Sequence, residues 1–220
     1  EARGHLRLYA PVSFAIRYGA PYLPEFNRLH PHVSVELGLN DRTVDLIDEG
    51  WDLTLRIRKM PSSTLRSRRL ATIRMVVCAA PAYLERAGTP TRVEELSQHQ
   101  CLGYTLSGTN SASRWSFGEK GEKTVPVSGP LSANNGDVLR EAALAGEGIV
   151  YQPVFVVSEE LRTGRLRALT LDLPPVPGPD LHAVYAPGIS VSLKIRAMID
   201  YLSQCYTPTP PWEQALAHTP

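Results

Sequence analysis

Along the first third of the chain, short runs of alternating apolar and polar residues are separated by stretches whose apolar residues recur at helical spacing. That is the pattern of βα units building a parallel sheet. Leu6, Leu8 and the residues to Ala10 predict a strand, after which Pro11-Val12-Ser13-Phe14 turns the chain. Tyr22, Leu23, Phe26 and Leu29 predict a helix ended by Pro31. Pro21 and Pro24 must lie in its first turn or mark a kink, because proline cannot donate deeper in a helix. Val33, Val35, Leu37 and Leu39 alternate with His32, Ser34, Glu36 and Gly38 as a second strand. Asp41 is placed to cap a short helix that carries Val44 and Ile47 and stops at Gly50; Leu53, Leu55 and Ile57 form a third strand.

Further on, Arg74 to Ala80 carries the continuous apolar run Met75-Val76-Val77-Cys78 and reads as a strand buried on both faces, as a crossing between lobes would be. The middle segment is rich in turn signals, and Gly118-Glu119-Lys120-Gly121-Glu122-Lys123 reads as a hairpin tip. Asn134-Asn135-Gly136-Asp137 caps a helix with Val138, Leu139, Ala142 and Ala143 inward, closed by Gly146 and Gly148. After a proline-rich joint, the strand His182 to Ala186 leads to a helix with Ile195, Met198, Ile199 and Leu202. The expected organisation is two α/β lobes linked by two crossing strands. Lobe 1 covers 4–78 and 182–206, lobe 2 covers 79–181, and 207–220, with four prolines, is a flexible tail.

Composition narrows the class. The 220 residues are 43% apolar and 20% charged, enough for a buried core. The net charge of +1 lacks the basic excess that neutralises phosphates, so this chain is not expected to be the main DNA contact. Cys78, Cys101 and Cys205 form no C-x-x-C pair or zinc-type cluster, which fits a reduced, cytoplasmic setting. Without an initiator Met, a secretory signal or a long apolar run, the chain is expected to be soluble, with no membrane partner, and cut from something longer.

Six stretches then fall in one order from Gly4 to about Tyr206: GHLRLYAPVSF (Gly4 to Phe14), LPEFNRLHP (Leu23 to Pro31), DRTVDLIDEGWDLTLRI (Asp41 to Ile57), APAYL (Ala80 to Leu84) with Gly88-Thr89-Pro90, SGPLSANNGDV (Ser128 to Val138), and AALAGEGIVYQP (Ala142 to Pro153). Together they resemble the regulatory domain of LysR-type transcriptional regulators, in the branch with the APVSF opening. The resemblance implies an α/β fold of two Rossmann-like lobes joined by two crossover strands, similar to type II periplasmic binding proteins. It implies a small-molecule effector in the cleft between lobes and a winged helix-turn-helix, outside this chain, through which alone DNA is bound. It further implies a homodimer or homotetramer whose contact surface includes Tyr22 to Leu29 and Val33 to Leu37, with no cofactor and no catalysis.

Strand ends and helix starts supply the candidate effector-binding residues. Pro11, Val12, Ser13 and Phe14 precede the first helix, where Ser13 either caps it or binds an effector carboxylate. Asn134, Asn135 and Gly136 open a helix, as caps or as ligand contacts. Arg56 and Arg58 share a face and, with Lys59, Arg66, Arg68, Arg69 and Arg74, make the one basic concentration. Arg58 stands where the family pattern has glycine, so these arginines mark either a solvated face or a more anionic effector. Cys78 ends a crossing strand, and Tyr151, Gln152 and Pro153 end a strand of the second lobe; Gln152 is either a structural amide or a specific ligand contact. Thr105 and Leu106 follow a further strand.

His30 and His32 make an H-x-H without a third ligand, so no metal site is expected, and Gly146-Glu147-Gly148 closes a helix instead of opening a dinucleotide loop. No hydrolase elbow, Walker loop or zinc-protease signature is present. The alternatives are a periplasmic solute-binding protein of the same fold and a lyase on the same scaffold.

Overall fold

The computed structural model describes residues 1–58, 64–188 and 191–217, so Lys59 lies outside the described residues. The chain forms two compact units: Glu1–Ile73 with Pro179–Pro211, and Arg74–Gly178 with the segment from Trp212. Unit 1 opens with β1 (Gly4–Ala10), α1 (Val12–Tyr18), α2 (Leu23–Leu29), β2 (Val33–Leu39), β3 (Leu53–Ile57) and β4 (Arg66–Thr72). Unit 2 follows with β5 (Met75–Ala79), α3 (Pro81–Ala87), β6 (Cys101–Tyr104), β7 (Arg114–Phe117), β8 (Lys123–Pro126), β9 (Ser132–Ala133), α4 (Gly136–Leu144), β10 (Ile149–Pro153), α5 (Val154–Arg162) and β11 (Arg167–Ala168). The chain returns to unit 1 for β12 (Asp180–Tyr185) and α6 (Leu193–Cys205), and ends in α7 (Pro211–Ala217). Among the described residues no helix is long and apolar enough to cross a membrane.

In unit 1 the strand order is β2-β1-β3-β12-β4, with β1 parallel to β2 and β3 and β12 antiparallel to β3 and β4. The alternation seen in the sequence sends Leu6 and Leu8 inward, and Phe14, Phe26 and Met198 from the helices are fully buried. Two local expectations fail. Pro11 serves as the N-cap of α1, so Val12, Ser13 and Phe14 are helical, not a turn. No helix forms after Asp41. Instead Asp45 Oδ1 accepts the N–H groups of Ile47 and Asp48 (3.0 Å each), and Gly50, at φ +70°, closes the turn. Val44 and Leu46 are buried while Ile47 is exposed, a spacing of two that no helix face provides.

Strand β4 was not expected. It carries Arg66, Ser67, Arg68 and Arg69 exposed, with only Leu70 and Ala71 buried, so its pattern is nearly all polar. Its pairing with β12 makes it a strand, and charge at a sheet edge is a common defence against stray pairing. The basic concentration is dispersed into separate pairs: Arg68 with Asp200 (2.5 Å), Arg69 with Asp180 (3.7 Å) and Arg74 with Glu213 (2.9 Å).

In unit 2 the order is β11-β5-β10-β6-β9; β10 and β9 run parallel to β6, and β5 runs antiparallel to β10. The hairpin β7–β8 turns through 118–122, where Gly118 has φ +90° and its N–H donates to Pro174 O (2.8 Å). Trp115 and Phe117 from the hairpin, Tyr83 and Leu84 from α3, and Val77 and Ile149 from the sheet share the core. Val138, expected inward on α4, is 49% exposed; Gly136, Leu139 and Ala143 form the buried face. Within the expected tail Pro211–Ala217 form α7, and 218–220 lie outside the described residues: Trp212 is fully buried and lies edge-on to Phe155, an anchor that outweighs the prolines around it.

Candidate functional site

The parallel strands of unit 1 end at one edge, Ala10 level with Leu39 and Ile57 two residues further on. β1 leads to β2 on one side while its other neighbour, β3, leads to β4 on the opposite side, and such a switch point leaves a crevice outside the strand ends. At this edge the Val12 N–H donates to Asp41 Oδ1 (3.0 Å), so the chain's own carboxylate takes the helix-start position expected for a ligand carboxylate. Ser13 is 6% exposed and its carbonyl accepts from Arg17 Nη1 (3.2 Å). Phe14 is fully buried, edge-on to Tyr206 at 5.9 Å; it anchors α1 in the core and takes no part in the edge.

Two cations reach the segment that follows Asp41. Arg56 Nη2 donates to Val44 O (3.3 Å), and Arg58 Nη1 donates to Thr43 Oγ1. Burial, and then the charge of Arg58, lower the pKa of Arg56. Both guanidinium groups thus fold onto the segment after Asp41, with Arg56 half-buried and Arg58 exposed. Sequence reasoning missed Tyr9 and Thr54, register partners on β1 and β3 whose hydroxyls are buried without a hydrogen-bond partner among the described residues. Nothing in an alternating strand marks which hydroxyl will be left in this state.

The edge of unit 2 gathers more of the candidates. Strands β6, β9 and β10 end side by side, and the Thr105 N–H donates to Ala133 O (2.9 Å), tying Thr105 to the residue before Asn134. Thr105, Leu106 and Asn134 are exposed there. Asn135 Oδ1 accepts from the N–H groups of Asp137 (2.9 Å) and Val138 (3.3 Å), so it caps α4. Gly136 admits Gln152: a Cβ at Gly136 would stand 2.9 Å from Gln152 Oε1. Gln152 is 2% exposed, and among the described residues its Nε2 has no hydrogen-bond partner. Pro153 follows as the N-cap of α5.

Two candidates lie elsewhere. Tyr151 points into the core, stacked on Phe117 at 5.3 Å, with its hydroxyl donating to Ser116 O (3.1 Å) and accepting from the Val176 N–H (2.7 Å). Burial pushes its pKa up to about 12. Successive strand residues face opposite ways, so Tyr151 and Gln152 could not both serve one site. Cys78 is fully buried opposite Val150, in mid-sheet, while Gln152 pairs with Val76. Because β5 is antiparallel to β10, the end of β5 points away from the edge where β10 ends. Burial, with a smaller contribution from Glu160, pushes the Cys78 thiol up to about 12. Among the described residues no group of His, Cys, Asp or Glu is placed to hold a metal ion.

The family model described as the LysR substrate binding domain matches residues 1–205. This chain belongs to that family. As a LysR-type regulatory domain it is 32% identical over 200 residues to the HTH-type transcriptional regulator CrgA of Neisseria meningitidis serogroup C, covering 91% of this chain and 66% of that protein. It is 35% identical over 206 residues to the probable HTH-type transcriptional regulator LtrA of Klebsiella pneumoniae, covering 92% of this chain and 66% of that protein. The solved CrgA regulatory domain from Neisseria meningitidis superposes with a TM-score of 0.81 at 31% identity, over 92% of this chain and 98% of that one. The LysR-type domain has the mixed α/β, type II periplasmic-binding-protein-like fold of these neighbours. It spans about two thirds of the length of the curated relatives it matches.

Proposed function

We propose that this chain is the effector-sensing part of a LysR-type transcriptional regulator: a small polar or anionic molecule engages the strand-end edges of the two units and thereby alters how the longer protein binds DNA. The observation that carries the reading is Gln152, a buried amide whose Nε2 has no partner among the described residues, set against Gly136 where three parallel strands end. A buried unpaired donor costs about 1–3 kcal/mol, a cost that a ligand oxygen would remove. Thr105, Leu106, Asn134, Gly136 and Gln152 are the proposed contacts in unit 2; Pro11, Val12, Ser13, Arg56 and Arg58 are those of unit 1.

Coupling requires the effector to prefer one arrangement of the protein over another. Homo-oligomer contacts through α2 and β2 would pass that preference to DNA-binding heads. A periplasmic solute-binding role is the second reading, and the regulators among the relatives weigh against it.

A thermal-shift screen of small carboxylates and aromatic acids tests the proposal, since a ligand at 100 times its dissociation constant adds about 2.7 kcal/mol. The expected result is a stabilising compound that is recovered unchanged and whose shift disappears in Gln152→Leu. Turnover of the compound, or a full shift in Gln152→Leu, would overturn it.

A further inference from the structure

The family match ends at residue 205, and the segment beyond it is anchored at both ends. Tyr206 is 2% exposed; its hydroxyl donates to Tyr18 O, and its ring packs edge-on to Phe14 (5.9 Å) and Tyr22 (6.1 Å), all in unit 1. Trp212 belongs to unit 2, where it is fully buried and edge-on to Phe155 of α5 at 6.4 Å. The next residue, Glu213, pairs with Arg74 of the same unit at 2.9 Å. Between the anchors runs Thr207-Pro208-Thr209-Pro210-Pro211.

The chain therefore passes between the units at Ile73–Arg74, at Gly178–Pro179 and again at Pro211–Trp212. Two covalent passages leave two bodies free to rotate about the line that joins the passages. A third passage of limited reach bounds that rotation. We propose that the segment Tyr206–Trp212 is such a strap, fastened to unit 2 by the Trp212 seat, and that it sets how far the two units can move apart.

Six residue steps reach at most about 20–22 Å from Tyr206 to Trp212 when fully extended. Proline fixes φ near −65°, so three prolines in five residues leave the strap few ways to slacken. Release of Trp212 from its seat would free the whole length of α7 as additional slack. The strap requires no effector, and it stands or falls apart from the effector-sensing reading.

The test measures the distance between spin labels at Arg196→Cys in unit 1 and Lys120→Cys in unit 2, with Cys205→Ser to remove the accessible native thiol. Three forms are compared without added ligand: the parent, Trp212→Ala, and a form with about twelve Gly/Ser residues inserted between Thr209 and Pro210, which adds roughly 17–20 Å of reach. The insertion leaves both anchors in place, so it decides the matter even where Trp212→Ala unfolds unit 2. The expected result is a distance distribution about twice as broad in the lengthened form, with an unchanged melting midpoint. A lengthened form whose distribution matches the parent's would overturn the strap.

Discussion

The side-chain oxygen of Gln152 lies only 2.9 Å from where a Cβ at Gly136 would stand, too close for both to keep their places. Val156 Cγ atoms stand behind at 3.4 Å, so the glycine is what lets α4 begin beside the end of β10. Gly136→Ala should therefore push the flexible Gln152 amide aside. Helix propensity favours alanine by about 1 kcal/mol, which offsets part of the crowding, so the denaturation midpoint should move little. The Gln152 side-chain NH2 resonances in an NMR spectrum should shift strongly, and unmoved resonances would show that the contact is not made.

Gln152→Leu should raise the stability of the ligand-free protein. The substitution replaces an amide with an orphaned Nε2 by an apolar group of similar length, and removing such a group is worth about 1–2 kcal/mol. A thermal melt without ligand reads the sign directly, and a lower midpoint would contradict the account.

Asn135→Ala should cost about 1 kcal/mol, because two N–H groups at the start of α4 lose their shared acceptor. Urea titration measures it. Asn135→Asp keeps an acceptor oxygen and should recover most of the loss.

Alkaline solution should weaken the fold. Burial raises the thiols of Cys78 and Cys101 from 9.0 to about 12, so the folded chain holds protons that the unfolded chain releases. The stability is fully present below pH 9 and declines as pH rises toward 12, by at most about 1.4 kcal/mol per pH unit for each thiol. Urea midpoints between pH 8 and 11 should show this slope, flattened in Cys78→Ala; an equal slope in that variant would assign the effect elsewhere.

Much of this architecture is legible where one side of a strand meets a core. The alternation through β2 and the apolar run of β5 are clear because burial leaves a period in the residues themselves. Strand β4 leaves none, since a partner strand and not a core holds Arg66 to Arg69 in line. Helix α7 was hidden by its prolines, although one tryptophan anchors it. At the candidate site, Gln152 was recognisable as a polar residue in apolar company. Its neighbour Tyr151 was not separable from it, because a fully buried strand offers no polar face by which to orient it. Cys78 was placed at an edge because the sequence does not say that β5 and β10 run in opposite directions.

The guanidinium groups along β4 also govern what happens to this sheet in a concentrated solution. Two molecules that bring these borders together must set Arg66 against its own copy and disturb the pairs of Arg68 with Asp200 and of Arg69 with Asp180, which disfavours growth of stacked sheets from that side. Ions shrink the range of that repulsion to about 10 Å at 0.1 M and about 3 Å at 1 M. Loss of solubility with rising ionic strength should therefore begin along the arginine-lined border, and Arg66→Ser with Arg68→Ser should make it appear in dilute buffer as well.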